Sequence, residues 1–460
     1  MVTNMSRLND DCLLHIFQYL PIVDKIKMES VSHRWRDLSL KSWSKFRKLN
    51  LSCITWGFPV SDKFTYVDDQ ILKHVLIRCG KFLIEIDICK PFNEDGTISR
   101  KDETKVHIIG ATNDILKIIA TYCPLIETIF ISDPCINLIG IRILIENCKN
   151  ICKLCLVSRK WIWNEDELGE IFAIMLKLKY LKFSCNNITG KCLQKLPINL
   201  EELHLMKIIH SSSSDVSNAI NRLYKLKALT IDSYPTINVE LLRAIGSRND
   251  NLQMLRLSGY VGLDYIKKDE IKEIARFENL IIFDFQHNSY ITDNALKTLA
   301  FYCRKVQYIN ISSCFEISEK GIAHLSTKPR LEHLISNGLP KVTGENFEKM
   351  LHLKTLDCQN CHRLREENLF NLIRTSMNLE ILDISWNKFN VNRLINIANI
   401  STMVRKHGIL KLYVGNTNFN NDNDNDNDDL IRELNPFCKV INSSLSLSDG
   451  EIYRKICDLL

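Results

Sequence analysis

From Phe46 onward one hydrophobic pattern returns along the chain: apolar-x-x-apolar-x-apolar, often followed three residues later by Asn or Cys. It stands at Phe46/Leu49/Leu51, Leu83/Ile86/Ile88, Ile126/Ile129/Ile131, Ile151/Leu154/Leu156, Leu178/Leu181/Phe183, Leu200/Leu203/Leu205 and Leu226/Leu229/Ile231. It continues at Leu252/Leu255/Leu257, Leu280/Phe283/Phe285, Val306/Ile309/Ile311, Leu331/Leu334, Leu353/Leu356/Cys358, Leu379/Leu382/Ile384 and Ile409/Leu412/Val414. The last two apolar positions of each copy lie two residues apart, so they share one face of a short strand. Between strands the period turns helical. After Asn288, Thr292 or Asp293 caps a helix whose Leu296, Leu299 and Ala300 face inward, and Ile317-Ser318 and Val342-Thr343 open similar segments. One such unit leaves its apolar edges bare, so only stacked neighbours bury a continuous core. Later copies begin about 26 residues apart over residues 46–415, a period at which strand–helix units stack into an α/β solenoid, here of about fourteen units.

The first 45 residues follow a different rule. Leu13, Leu14, Ile16, Phe17 and Leu20 make a broad apolar stripe on a short helix, with Asn9, Asp10 and Asp11 at its start and Pro21 at its end. A second helical run carries Ile26, Met28, Val31, Trp35 and Leu38. A segment this short cannot bury so much apolar surface by itself, so part of it is expected to meet another protein. Three stretches interrupt the repeats: a polar insertion from Lys90 to Lys105, a flexible loop from Ser211 to Ser214, and an Asn/Asp-rich linker from Asn416 to Asp429. Beyond the linker, Ile452, Ile456 and Leu459 predict a C-terminal helical cap, closing a third segment over 416–460.

The opening segment resembles the F-box, through Leu8, Leu13, Leu14, Ile16, Phe17, Leu20, Pro21, Asp24, Val31, Arg34, Trp35 and Trp43. It departs from that pattern at Asn9, where proline is usual, at Lys25, where leucine is expected, and at Ser32, where cysteine is usual. The remainder resembles the cysteine-containing leucine-rich repeats of F-box proteins, with Cys123, Cys148, Cys303, Cys314 and Cys361 at or near the positions of cysteine in that class. The resemblance implies a leucine-rich-repeat horseshoe behind a small all-α F-box. It also implies a receptor that docks a Skp-family adaptor of a cullin–RING ubiquitin ligase through Leu8, Leu13, Leu14, Ile16, Phe17, Leu20, Pro21, Ile26, Val31 and Trp35. An unidentified protein substrate would bind the repeats; the rival expectation is an interaction scaffold outside any ligase, with the helices as a cap.

Composition narrows this further. With 45% hydrophobic and 25% charged residues the chain is of ordinary globular type, and a net charge of +6 without a basic stripe argues against nucleic acid. No signal peptide and no stretch of about 18 apolar residues stands out. Seventeen cysteines without a secretion signal point to reduced thiols in the cytosol or nucleus.

Several constellations resemble chemistry. Cys358-Gln-Asn-Cys361-His362 has the haem-attachment spacing, but both cysteines fall on core-facing repeat positions. Cys148, Cys152 and Cys155 lack a second zinc knuckle. Asp422, Asp424, Asp426, Asp428 and Glu433 match a calcium-loop template, yet Asn427 replaces its glycine, so a hydrated linker is the better reading. Cys457-Asp-Leu-Leu460 fits a prenylation box, the one route by which this chain would meet a membrane. No catalytic motif, cofactor cradle or metal site is expected. The strand residues between core positions predict an exposed inner face whose middle column runs Lys182, His204, Thr230, Arg256, Asp284, Asn310, Ile335, Asp357, Asp383, Tyr413. Asp284, Asp357 and Asp383, with Tyr308 and Tyr413 as aromatic anchors, are the expected substrate contacts.

Overall fold

In the computed structural model the chain opens with three short helices, α1 (Asp10–Tyr19), α2 (Ile22–Met28) and α3 (His33–Ser42). The described residues are 8–58, 66–89, 107–108, 113–132, 136–157, 163–184, 187–208, 211–234, 239–247, 250–259, 270–288, 291–388, 391–402, 408–417, 431–435 and 438–441. Asn9 starts α1 by accepting the Cys12 N–H at 2.8 Å, so this departure from the F-box pattern supplies an N-cap. Pro21 ends α1 and caps α2, and Ser32 Oγ accepts the Trp35 N–H at 3.2 Å to begin α3.

The chain divides into two units, Met1–Leu223 and Tyr224–Leu460. In the first, the strands are β1 (Lys48–Leu49), β2 (Tyr66–Val67), β3 (Glu85–Cys89), β4 (His107–Ile108), β5 (Thr128–Ser132), β6 (Lys153–Val157), β7 (Tyr180–Ser184) and β8 (Glu202–Met206). β1, β3 and β5 to β8 pair side by side in parallel, while β2 and β4 form a separate parallel pair. Helices α4 (Cys53–Trp56), α5 (Asp69–Cys79), α6 (Asn113–Tyr122), α7 (Leu138–Asn147), α8 (Glu165–Ile174) and α9 (Ser213–Arg222) alternate with the strands. Ser212 caps α9, so the serine run expected to be a loop begins a helix.

The second unit carries β9 (Ala228–Tyr234), β10 (Met254–Gly259), β11 (Ile282–Asp284), β12 (Tyr308–Asn310), β13 (His333–Ile335), β14 (Thr355–Asp357), β15 (Ile381–Asp383), β16 (Leu410–Tyr413), β17 (Ile431–Asn435) and β18 (Cys438–Ile441). β9 to β16 are parallel neighbours in sequence order, β18 adds a further parallel strand beside β16, and β17 pairs antiparallel to β18. This is a leucine-rich-repeat architecture behind an all-helical module, and every predicted strand position carries a strand. The pattern missed β17 and β18, which occupy part of the segment read as linker and helical cap; the cap residues Ile452, Ile456 and Leu459 lie outside the described residues.

Four of the later repeats close the same way. Leu255 and Leu257, like their counterparts, are buried, worth about 1.5–3 kcal/mol each. Past the strand, Asn288 donates to the carbonyls of Leu257 (2.6 Å) and Phe285 (2.9 Å), and Asn387 to those of Cys358 (3.0 Å) and Ile384 (2.8 Å). Cys314 and Cys361 stand in the same column and give their thiols to the carbonyls of Phe285 (3.1 Å) and Ser336 (3.2 Å). Neighbouring repeats are also tied through carboxylates at the helix starts. Glu319 accepts the N–H groups of Thr343 (2.8 Å), Gly344 (3.2 Å) and Asn346 (2.9 Å) from the next repeat, and Glu165 accepts those of Thr189, Gly190 and Cys192. Burial raises the pKa of Glu165, but the donated N–H groups outweigh it and hold the carboxyl below its ordinary value.

Candidate functional site: the helical module and the inner face

Leu13, Phe17 and Leu38 are fully buried and form the module's own core, with Leu8, Leu14, Leu20, Met28 and Trp35 packed around them. Trp35 meets Phe17 edge-on at 5.3 Å. This corrects the expectation that Leu13 and Phe17 touch the adaptor: three helices need a centre, and the innermost stripe residues supply it. Pro21 is also committed, because Gly57 lies against it; a Cβ on Gly57 would come within 2.8 Å of Pro21 Cβ. Of the remaining expected residues, Ile16 and Val31 are exposed, and Leu8, Leu14, Leu20, Ile26 and Trp35 are half-buried. Two apolar residues that the pattern did not single out join them: Tyr19, 77% exposed, and Leu40. Tyr19 escaped notice because it lies off the α1 stripe.

The other side of the module is fastened to the first repeats. Arg78 on α5 reaches Glu29 through Nε and Nη2, each at 2.8 Å. Arg34 binds Asp10 at 2.8 Å and the Leu8 carbonyl at 2.5 Å, holding α3 to the start of α1. Lys25, standing where leucine was expected, is buried, with its ammonium 5.1 Å from the Trp43 ring centre and 5.2 Å from that of Phe46. Burial lowers its pKa, opposed by nearby Cys79. The module thus leaves Ile16, Tyr19, Val31 and Leu40 exposed while Glu29 and Lys25 are engaged.

The inner face differs between the two units. In the first, Thr128, Phe130, Tyr180, Lys182 and His204 are half-exposed. Tyr180 lies 5.1 Å from His204, and Glu202 is held below its ordinary pKa, first by its hydrogen bond to His204. In the second, the expected substrate residues Asp284, Tyr308, Asp357 and Asp383 are buried, and only Tyr413 is half-exposed. They are therefore no open acidic patch. Burial raises the pKa of Asp284, which pairs with Arg256 at 3.5 Å. Asp357 is pushed up to about 7, chiefly by burial and then by Asp383, its neighbour across the strands. One exposed aromatic went unnoticed in the sequence: Trp386, 52% exposed, on the turn after β15.

The other candidate chemistries find these settings. Cys358 and Cys361 are buried and donate to the carbonyls of Asp383 and Ser336, as core thiols do. Among the described residues no group of three His, Cys, Asp or Glu could hold a metal, and no helix is long and apolar enough to cross a membrane. Cys457 and Asp422 to Asp428 lie outside the described residues.

Residues 5–47 match the F-box domain model. The chain is similar to yeast Rad7, solved in complex with Elc1: TM-score 0.55 and 18% identity over 82% of this chain and 88% of that one. A Listeria monocytogenes internalin (inlF) superposes with a TM-score of 0.44 and 15% identity, over 89% of this chain and 98% of that one. In sequence it is 22% identical over 397 residues to the Caenorhabditis elegans "Putative RNA-binding protein EEED8.10", covering 83% of this chain; the chain spans 50% of the length of that curated relative. What the fold and the match define is an F-box module followed by leucine-rich repeats.

Proposed function

We propose that this chain is the substrate-recognition subunit of an SCF-type (Skp–cullin–F-box) ubiquitin ligase. The carrying observation is a helical module with Ile16, Tyr19, Val31 and Leu40 exposed, tied to the first repeats through the Glu29–Arg78 bridge. An apolar surface of this kind on a fastened module supports docking by an adaptor. The chain performs no chemistry; it raises the effective concentration of substrate lysines near the ubiquitin thioester held by the cullin–RING core. The half-exposed inner face of the first unit, with Asp87, Phe130, Tyr180, Lys182 and His204, supports a protein substrate of mixed charge rather than a phosphate backbone. Seventeen cysteines, mostly buried where they are described, support residence in the reducing cytosol or nucleus.

The test is capture of a Skp-family adaptor by the full chain, beside the Ile16→Asp/Val31→Asp variant. Retention is expected to fall at least tenfold in the variant, with thermal unfolding unchanged because both residues are exposed. Absence of adaptor from wild-type captures would overturn the proposal. Rad7 is solved with Elc1, so an Elc1-like protein is the second adaptor to assay.

A further inference from the structure

One repeat of the first unit is cut short. Leu178 to Leu200 is 22 residues, whereas Ile151 to Leu178 is 27 and Leu200 to Leu226 is 26. The shortfall falls on the outer layer. Where α8 and α9 are helices of ten residues each, the repeat between them has a five-residue 3-10 turn, Lys191–Lys195. This turn starts level with its neighbours. Glu165 at the start of α8 accepts the N–H groups of Gly190 and Cys192, and a Cβ on Gly190 would come within 3.0 Å of Val216 Cγ2 in the first turn of α9. Ten α-helical residues rise about 15 Å and five 3-10 residues about 10 Å, so the turn runs out before the helices on either side do.

What it leaves is a notch of about 430 Å³ between the C-terminal ends of α8 and α9. Buried Leu196 and half-buried Pro197 line its bottom, and Leu176 and Ile198, 74% and 44% exposed, stand at its edges. Apolar residues exposed one at a time are ordinary on a protein surface, but here they converge on a concavity of the size that holds ligands. Two cations share the lining, Lys195 and Arg222, the last residue of α9. Both are exposed, and neither has an ion-pair partner among the described residues. The carboxylates of the same elements are engaged elsewhere: Glu170 with Arg142 at 2.8 Å, Asp215 with Gln194 at 3.2 Å and Glu201 with Lys179 at 3.1 Å. The notch is therefore apolar within and positive at its rim.

We propose that this notch docks a segment of a partner protein in which large apolar side chains stand beside Asp or Glu. The apolar groups fill the space over Leu196 between Leu176 and Ile198, and the carboxylates meet Lys195 and Arg222. The site lies on elements separate from both the helical module and the inner face, so it does not rest on the ligase reading.

The test pans a random library of short displayed peptides against the full chain and against its Leu176→Ser/Ile198→Ser variant, whose fold is expected to survive because both residues are exposed. Peptides held by the wild type and not by the variant are expected to combine aliphatic or aromatic residues with Asp or Glu. A fluorescent synthetic copy of one such peptide is expected to bind Lys195→Glu/Arg222→Glu at least tenfold more weakly in anisotropy titrations, and to lose affinity for the wild type as salt rises. Selected peptides rich in Lys or Arg, a library yielding none that separates wild type from variant, or equal affinity in the charge-reversed protein would each overturn the proposal. So would wild-type dimers in sedimentation velocity that Leu176→Ser/Ile198→Ser dissociates, since a second copy of the chain would then fill the notch. Should charge reversal lower the melting temperature, Lys195→Gln/Arg222→Gln replaces it, with a loss of at least threefold expected and none counting against the site.

Discussion

A single column of residues bears backbone cost in this molecule. Lys207, His287, Ser313, Asn360, Trp386 and Asn416 all have φ between 53° and 63°, and Gly338 takes the same place with φ 65°. Each lies two residues past the third position of a strand, where the chain turns, and at His287, Ser313, Asn360 and Trp386 the turn brings the repeat's Asn or Cys under the sheet. Left-handed backbone costs a residue with a side chain about 1–2 kcal/mol. Ser313→Gly is therefore expected to raise the free energy of unfolding by about 1 kcal/mol in urea titrations, with the strand pairing unchanged. The buried Asp357 carries a different cost, one that varies with pH. Its folded pKa near 7 stands above the unfolded value of 3.8, so the folded chain keeps a proton the unfolded chain has lost and stability falls as pH rises between the two. Asp357→Asn is expected to remove that fall and to leave the variant more stable than wild type by at least about 1 kcal/mol at pH 8. Melting temperatures measured from pH 4 to 8 decide it, and parallel curves would contradict the assignment.

At the scale of elements, the carboxylates that start outer helices act on the next repeat rather than on their own. Glu319→Ala strands the N–H groups of Thr343, Gly344 and Asn346 and is expected to cost about 2 kcal/mol in chemical unfolding. The junction between α2 and the repeats behaves in the opposite sense. Burying the Lys25 ammonium is unfavourable, so its lowered pKa makes stability rise with pH from the folded value toward 10.5. Lys25→Met, keeping the stem and dropping the charge, is expected to stabilise the protein by about 1 kcal/mol at pH 7 and to flatten its pH dependence at alkaline pH. The strands were legible in the sequence because paired core residues such as Leu255 and Leu257 recur at a nearly constant period. The site was less so. A stripe on α1 shows which residues are apolar, yet not that Leu13 and Phe17 serve the module while Tyr19 faces outward. Nor does alternation along a strand reveal whether the inward-pointing residues meet water, which is why Asp357 and Asp383 read as surface.

For the molecule as a whole, the ends of a repeat array have to be closed, since an open parallel strand is a template for association. At the far end β17 turns antiparallel onto β18. At the near end the helical module does this work: Trp43 and Trp56 are fully buried, and α2 sits against α4 through Pro21 and Gly57. Removing residues 1–45 is therefore expected to produce self-associating repeats, visible as oligomers in sedimentation velocity; a monodisperse monomer would show that the first repeat needs no cover.

The Glu29–Arg78 bridge sets a limit on how this chain can be re-engineered. A chimaera that joins the module to foreign repeats at residue 45 leaves Glu29 without its guanidinium and Lys25 over a mismatched surface. A splice after Cys89 carries α5 and β3 along with the helices, so the transferable cassette is longer than the conventional boundary by two strands' worth of sheet.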